Sequence, residues 1–387
     1  MQLETVSERV NFKDYIRSIG VDTADGYWTE DKVFAFSEEE VLNIEDATAE
    51  LNNMILNAVD HVVKNNLYHL FKIDERFHSL ITKSWQRKDK GLCARLDLGF
   101  NPNTGEIKLF ECNTTPTLLI ESAIAQSMRM KNSEFDFSQF NSIEEELLKQ
   151  FSLLKKEHGV DTLYLSCMDN PDDYAHTMYM LSCAEKCGIN VIFLHIEDIG
   201  YDSETKKFVD LNNEIIENLY ILYPYEWFFE DEFGKHLNND ILNVIIEPYW
   251  TIIAGSKAIL PILWELYPNH KYLLPSFFND TNNVLGMKFV EKPIYGREGM
   301  NVTIVDENFV EKNEGNYEKY GYIYQQKFDI PRFGGDVDGV YPVIGSWIVG
   351  NTACGMGVRA GSRLITDNNT PFYPHYFIST DDSNLPN

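Results

Sequence analysis

The chain has 387 residues, 33 Lys+Arg against 60 Asp+Glu, a net charge of -27 and 44% hydrophobic residues. That much apolar material supports two or three closely associated lobes and excludes a largely disordered chain. The acidic balance would repel a nucleic-acid backbone and an anionic membrane surface alike, and no apolar run reaches the length of a membrane span, so neither is an expected partner.

Residues 1–27 contain no apolar stretch of signal-peptide length. Cys93, Cys112, Cys167, Cys183, Cys187 and Cys354 show neither a C-x-x-C pair nor compact disulfide spacing, which predicts free thiols in a reducing, cytoplasmic setting. Ser37-Glu38-Glu39-Glu40 reads as a capping box. Val41, Ile44, Leu51, Ile55, Ala58 and Val62 then repeat at helical spacing, which predicts one long amphipathic helix through about Lys64.

Cys93 to Phe100 and Ile107 to Cys112 read as strands, and Asn101-Pro102-Asn103-Thr104-Gly105 between them as a turn, so a hairpin is expected. Arg95 and Asp97 lie two apart on the first strand, and Glu111 and Asn113 two apart on the second. Period-two geometry puts each pair on one sheet face. With the register aligned, two carboxylates, an amide oxygen and a guanidinium would converge, a set that suits Mg²⁺ and the phosphate oxygens it bridges. An ordinary ion pair on a surface hairpin has the same spacing.

Leu163 to Cys167 is strand-like, Pro171 can open a helix that Gly188 closes, and Asn190 to Ile196 is strand-like again. With the apolar runs Leu219 to Tyr223 and Val244 to Ile246, this β-α-β pattern predicts a small parallel sheet flanked by helices. Strand-like and Gly-rich segments dominate from Lys257 onward: Phe289 to Lys292, Val302 to Val305, Tyr322 to Gln326, Val343 to Val349 and Gly355 to Val358. Lys292-Pro293 is followed by Gly296-Arg297-Glu298-Gly299. Such a turn can fold over phosphates while the lysine supplies a point charge, although a plain hairpin turn has the same outline. Lys257, ahead of the apolar helix start Ala258 to Leu263, and Arg359, after a Gly-rich strand, each read singly as solvated surface. Gly355, Gly357 and Gly361 miss the dinucleotide-binding spacing by one residue.

In order along the chain, Glu247-Pro248-Tyr249-Trp250, Ser256 to Leu266, Pro268-Asn269-His270, Leu273-Leu274-Pro275, Glu291 to Asn301, Ile344 to Val349, Leu364-Ile365-Thr366 and Phe372 to His375 resemble the glutathionylspermidine synthetase family of ATP-grasp ligases, and within it the single-domain acid–amine ligase branch. The resemblance implies an α/β (α+β) ATP-grasp fold with a Rossmann-like pre-ATP-grasp subdomain. Residues 1–150 would form a helical region and metal-binding hairpin belonging to the synthetase core, 151–250 a Rossmann-like β-α-β substrate subdomain, and 251–387 the nucleotide-binding region. It also implies an ATP-dependent ligase that joins a carboxylic acid to an amine through an acyl phosphate, with ATP and two Mg²⁺ ions, its partners being a small-molecule acid and amine of peptide and polyamine type.

Carried over by residue, Asp97, Glu111 and Asn113 would be Mg²⁺ ligands and Arg95 a contact to the terminal phosphate. Lys257 and Lys292 would hold nucleotide phosphates under the loop from Gly296 through Arg297 to Gly299. Tyr324-Gln325-Gln326 would be the hinge beside adenine, and Arg359 would approach the transferred phosphoryl group. Asp172 and Asp173 align with an acidic amine-binding pair; the residues alone also fit a first helical turn, which favours acids.

Two departures stand out. The family's bifunctional members carry an added amidase, whereas this sequence begins directly with the synthetase-like part, so amide hydrolysis is not expected. Thr114-Thr115-Pro116-Thr117 stands where the family continues with Ala-Asp and looks one position shorter, which bears on the identity of the acid. A non-catalytic ATP-binding scaffold would be marked by loss of a metal ligand or phosphate lysine, and all are retained. A phosphotransferase would be marked by ADP without amide.

Overall fold

The computed structural model describes residues 1–21, 26–115, 117–131, 138–279, 283–335 and 338–379. Pro116 and residues 280–282 lie outside the described residues.

The capping box starts a helix over Glu38–Lys64: the Ser37 hydroxyl accepts from the Glu40 N–H at 3.2 Å while the Glu40 carboxylate accepts from the Ser37 N–H at 2.9 Å. Its buried stripe includes all six of the apolar residues that set the helical period. The stripe packs on the strands Tyr341–Val349 and Thr352–Gly361, and Thr48 and Ser346 hydroxyls pair at 2.7 Å across that contact.

The early hairpin is Cys93–Asn101 with Glu106–Asn113. Its partners come from the far end of the chain, in an antiparallel sheet ordered Phe372–Tyr373, Thr352–Gly361, Tyr341–Val349, Cys93–Asn101, Glu106–Asn113. Asp97 stands opposite Glu111 and Arg95 opposite Asn113, and Asp97 also faces Gly345. A β-carbon at Gly345 would meet the Arg95 side chain at 2.7 Å, so the missing side chain is what lets the arginine lie across the sheet.

The β-α-β pattern forms a parallel sheet ordered Val244–Ile246, Asn218–Leu222, Thr162–Cys167, Asn190–His195. The helix Pro171–Lys186 follows the third of these, with Asn170 as its N-cap and Pro171 in the first turn. A second antiparallel sheet is ordered Ser276–Phe277, Tyr322–Gln326, Phe289–Pro293, Thr303–Asp306, Phe309–Lys312. The architecture is therefore mixed α/β.

A fourth sheet has no counterpart among the elements expected from the sequence. Gln2–Thr5 and Lys32–Ser37 run antiparallel, and His375–Ile378 joins in parallel. These strands are short, and the third pairs across almost the whole chain, so local periodicity carries no trace of it.

Glu247, from the Glu247-Pro248-Tyr249-Trp250 run, serves the hairpin. It is 4% exposed, and its two oxygens accept from the Leu92 and Cys93 N–H groups at 2.8 and 2.9 Å, pinning the start of the first hairpin strand. Burial pushes its carboxyl up to about 8, against the pull of those two donors. The native state therefore keeps a proton that the unfolded chain has released. Between the usual glutamate value and about 8, stability falls as pH rises, at up to about 1.4 kcal/mol per pH unit. Urea denaturation at several pH values is expected to show this slope in the wild type and to lose it in Glu247→Gln.

Candidate active site

The hairpin sheet, the segments that follow the parallel strands Thr162–Cys167 and Asn218–Leu222, and the Gly296–Gly299 turn line a cleft of about 860 Å³. Arg95, Asp97, Glu111, Asn113, Asp172, Asp173, Gly296, Arg297, Gly299 and Arg359 all line it. Lys257, Lys292 and Gln325 line an adjoining slot of about 110 Å³ that shares Asp97, Glu111, Gly296 and Gly299 with the cleft. The slot is walled by Phe110, Val290, Ile304, Phe328, Ile330 and Ile365, a largely apolar lining.

The charges form a connected network. Arg95 makes a two-pronged pair with Asp97, Nε to Oδ1 at 2.7 Å and Nη2 to Oδ2 at 3.2 Å, while its Nη1 donates to the Thr117 carbonyl at 2.8 Å. The Thr114–Thr117 run that departs from the family pattern thus holds the arginine. Lys257 Nζ stands 3.2 Å from Glu111 Oε2 and donates to the Gly296 carbonyl at 2.8 Å. Lys292 Nζ donates to the Phe110 carbonyl at 2.8 Å and to Gln325 Oε1 at 2.7 Å, and Gln325 Nε2 reaches the Leu109 carbonyl at 3.2 Å. Gln325 is 2% exposed, so its side chain serves the lysine while its backbone stays in the sheet, opposite Val290.

Burial and pairing set the protonation of these groups. Burial alone would raise Glu111, but Lys257 and Lys292 outweigh it and hold the carboxyl at about 2. Burial pushes the Lys292 ammonium down to about 8 against the pull of Glu111. Burial also raises Asp97, with Arg95 opposing, and lowers Arg359. Arg359 donates to the Thr370 carbonyl from Nε at 3.2 Å and to the Asp367 carbonyl, which fixes its head at the cleft edge.

Gly299 has φ 67, and a β-carbon there would meet the Thr366 carbonyl oxygen at 2.3 Å, so this position tolerates no side chain. Met300 N–H bonds back to the Arg297 carbonyl at 2.9 Å.

Asp172 and Asp173 sit in the first turn of the helix Pro171–Lys186 and also line the cleft. Asp173 is buried and accepts from Asn170 Nδ2 at 2.8 Å, and burial raises its carboxyl. The helix-turn and cleft readings of this pair therefore describe the same residues.

Tyr27, Glu121 and Glu226 are among the cleft residues that the sequence did not single out. Tyr27 Oη donates to Glu121 at 2.8 Å. Glu226 is raised by burial. No motif surrounds any of them, and an isolated acid or tyrosine has no distinguishing local signal. His176 lines the cleft and His375 lies in the core, and burial holds both near 3, so neither is protonated at neutral pH.

Among the described residues, no group of three or more His, Cys, Asp or Glu side chains gathers as around an all-protein metal site. The hairpin offers two carboxylates and the Asn113 amide, whose Nδ2 is buried without a partner. Such an oxygen set fits a hard divalent cation that completes its shell with phosphate and water oxygens, with Arg95 and Lys257 on the carboxylates in its place. No helix among the described residues is long and apolar enough to cross a membrane.

Comparison with known proteins fits this arrangement. A Haemophilus influenzae protein provisionally named an acid–amine ligase is 40% identical over 366 residues, covering 91% of each chain. The bifunctional glutathionylspermidine synthetase/amidase of Escherichia coli is 26% identical over 372 residues, 87% of this chain and 57% of that one. The trypanothione synthetase of Crithidia fasciculata is 26% identical over 354 residues, 84% of this chain and 53% of that one. This chain thus spans a little over half of those two longer relatives. In fold, a glutathione synthetase-like effector from Globodera pallida in its apo form superposes with a TM-score of 0.60 over 95% of both chains, at 11% identity, consistent with an ATP-grasp-type fold. The glutathionylspermidine synthase preATP-grasp family model matches residues 3–378, and the chain belongs to that family.

Proposed function

We propose that the cleft joins a carboxylic acid to an amine at the expense of ATP, through an acyl phosphate. The observation that carries this reading is the meeting of Glu111, on the early hairpin, with Lys257 and Lys292 from the late segments, beside a cleft that Asp172 and Asp173 also line. The lysines and arginines suit phosphates, and Asp172 and Asp173 suit an ammonium group.

In this reading adenine occupies the apolar slot beside Gln325, and Lys257 and Lys292 hold the phosphates under the Gly296–Gly299 turn with Arg297. Asp97, Glu111 and Asn113 would hold Mg²⁺, as two ions, which supplies charge neutralisation between phosphate oxygens when bound. The acid's carboxylate attacks the γ-phosphorus while Arg95, Arg359 and the lysines neutralise the developing charge, and ADP leaves. The amine, held at Asp172 and Asp173, attacks the acyl phosphate, and inorganic phosphate departs. Fixed orientation of the reactants contributes ~7 to 11 kcal/mol to such a sequence. The loop shields the acyl phosphate from water.

The names of the relatives favour a peptide acid and a polyamine as substrates. The region boundaries proposed are 1–150, 151–250 and 251–387. Six unpaired thiols support a cytoplasmic setting.

The test is phosphate release with ATP, Mg²⁺ and mixed acids and amines that include glutathione and spermidine, with products identified by mass spectrometry. An amide with stoichiometric ADP is expected, and activity should vanish on chelation with EDTA. ADP with a phosphorylated acceptor and no amide would make the protein a phosphotransferase. Nucleotide binding without turnover would make it a scaffold.

A further inference from the structure

Amide formation from an acyl phosphate needs a proton acceptor, because an alkylamine is bound as an ammonium ion and has no lone pair to give until a proton leaves. Asp172 and Asp173 would anchor such a cation. Glu121 lines the same cleft, close enough to Asp172 and Arg359 to feel both charges.

Glu121 opens a single π-helical turn, Glu121–Ala125, whose far side is locked into the core. Ser122 is buried against Gly357, where an added β-carbon would meet its hydroxyl at 2.7 Å. Gln126 donates to the Met356 carbonyl at 2.8 Å and pairs with His375 at 2.8 Å. With that side fixed, the Glu121 carboxylate faces the cleft and accepts from Tyr27 Oη at 2.8 Å. Three charged or titratable groups face it from the surrounding elements: Tyr27 from the N-terminal segment, Asp172 from the helix Pro171–Lys186, and Arg359 from the strand Thr352–Gly361. Burial raises its carboxyl from the ordinary glutamate value, the direction that favours a general base.

We propose that Glu121, oriented by Tyr27, is the general base that takes a proton from the amine nucleophile. This assignment rests on the ligase reading above. The ammonium gives one proton to the Glu121 carboxylate, and the freed lone pair forms the C–N bond at the acyl carbon. As the tetrahedral centre collapses, the C–O bond breaks and its electron pair leaves on phosphate, which takes the second proton. The third stays on the amide nitrogen, and Glu121 returns its proton to solvent before the next turnover.

The experiment compares two amines on the full chain with ATP, Mg²⁺ and glutathione: spermidine, protonated at neutral pH, and hydroxylamine, uncharged there. In Glu121→Gln, kcat for spermidine is expected to fall about 100-fold while hydroxamate formation stays within about threefold, because only the protonated amine needs the base. The acidic limb of the spermidine pH profile should disappear in that variant. In Tyr27→Phe it should move to higher pH, since loss of the hydroxyl donor destabilises the carboxylate. Retained hydroxamate formation shows that Glu121→Gln is folded and activates the acid. Equal loss with both amines, or no loss with spermidine, overturns the assignment. A wild type that yields neither amide nor hydroxamate overturns the ligase reading and this assignment with it.

Discussion

Lys292→Ala is expected to lower ATP-dependent phosphate release about 10²- to 10³-fold, the range for removing one preorganised donor aimed at developing charge. Two of the three ammonium N–H donors are already committed, to the Phe110 carbonyl and to Gln325. The side chain is therefore aimed before any nucleotide arrives. It is 7% exposed, and burial lowers its proton affinity, so an incoming phosphate gains from an ammonium held ready in a poorly hydrated place. Alanine would also strip Glu111 of one of the three cations that keep it ionised, leaving Lys257 and Arg95. Steady-state phosphate release measured beside calorimetric titration with a nonhydrolysable ATP analogue checks this. The expected result is a fall in kcat larger than the weakening of nucleotide binding. Wild-type turnover would remove Lys292 from the phosphate site. Lys292→Met, which keeps most of the aliphatic stem, separates charge loss from cavity formation and should behave the same way.

Much of the framework was legible because its signals are local. The capping box at Ser37 and Glu40 names its own partners, and the helix runs from Glu38 to Lys64 as the apolar spacing indicates. The β-α-β unit is announced by Pro171 and by two apolar runs, and it forms the parallel ladder between Thr162–Cys167 and Asn190–His195. The sheet that joins the early hairpin to Tyr341–Val349 is different in kind, since nothing in either segment encodes a partner so distant in sequence. The same holds for the sheet of Gln2–Thr5, Lys32–Ser37 and His375–Ile378.

For the cleft, period two was enough to place Arg95 with Asp97 and Glu111 with Asn113, and the structure supplies what spacing lacks: the register and the two lysines. Tyr27 and Glu121 stayed silent. Each becomes notable only when a strand-edge pairing at Phe372 and a buried turn at Ser122 bring them together. Glu247 illustrates the opposite case, a residue inside a family-like motif whose visible task is to hold two backbone N–H groups of the hairpin.

Asp97→Ala is expected to lower turnover by about 10³-fold, and the pattern of loss should tell which of two tasks the carboxylate performs. Its first visible task is to hold Arg95 through both oxygens, with the Thr117 carbonyl as the arginine's other anchor. Losing the fork would free a guanidinium that lies across Gly345 and faces the proposed phosphoryl site. The second task is to supply a cation oxygen opposite Glu111. If only the first mattered, adding Mg²⁺ would leave the defect unchanged, and Asp97→Asn would recover much of the rate because an amide oxygen still accepts one guanidinium hydrogen bond. If Asp97 is a ligand, the Mg²⁺ concentration giving half-maximal rate should rise at least about tenfold in Asp97→Asn, since a hard divalent ion prefers a carboxylate to a neutral oxygen. The proposed function favours the ligand pattern: the carboxylate raised by burial is the one that would gain most from a second cation. A variant that turns over normally at every Mg²⁺ concentration would remove the hairpin from the reaction, and with it the reason for placing the phosphates between the two sheets.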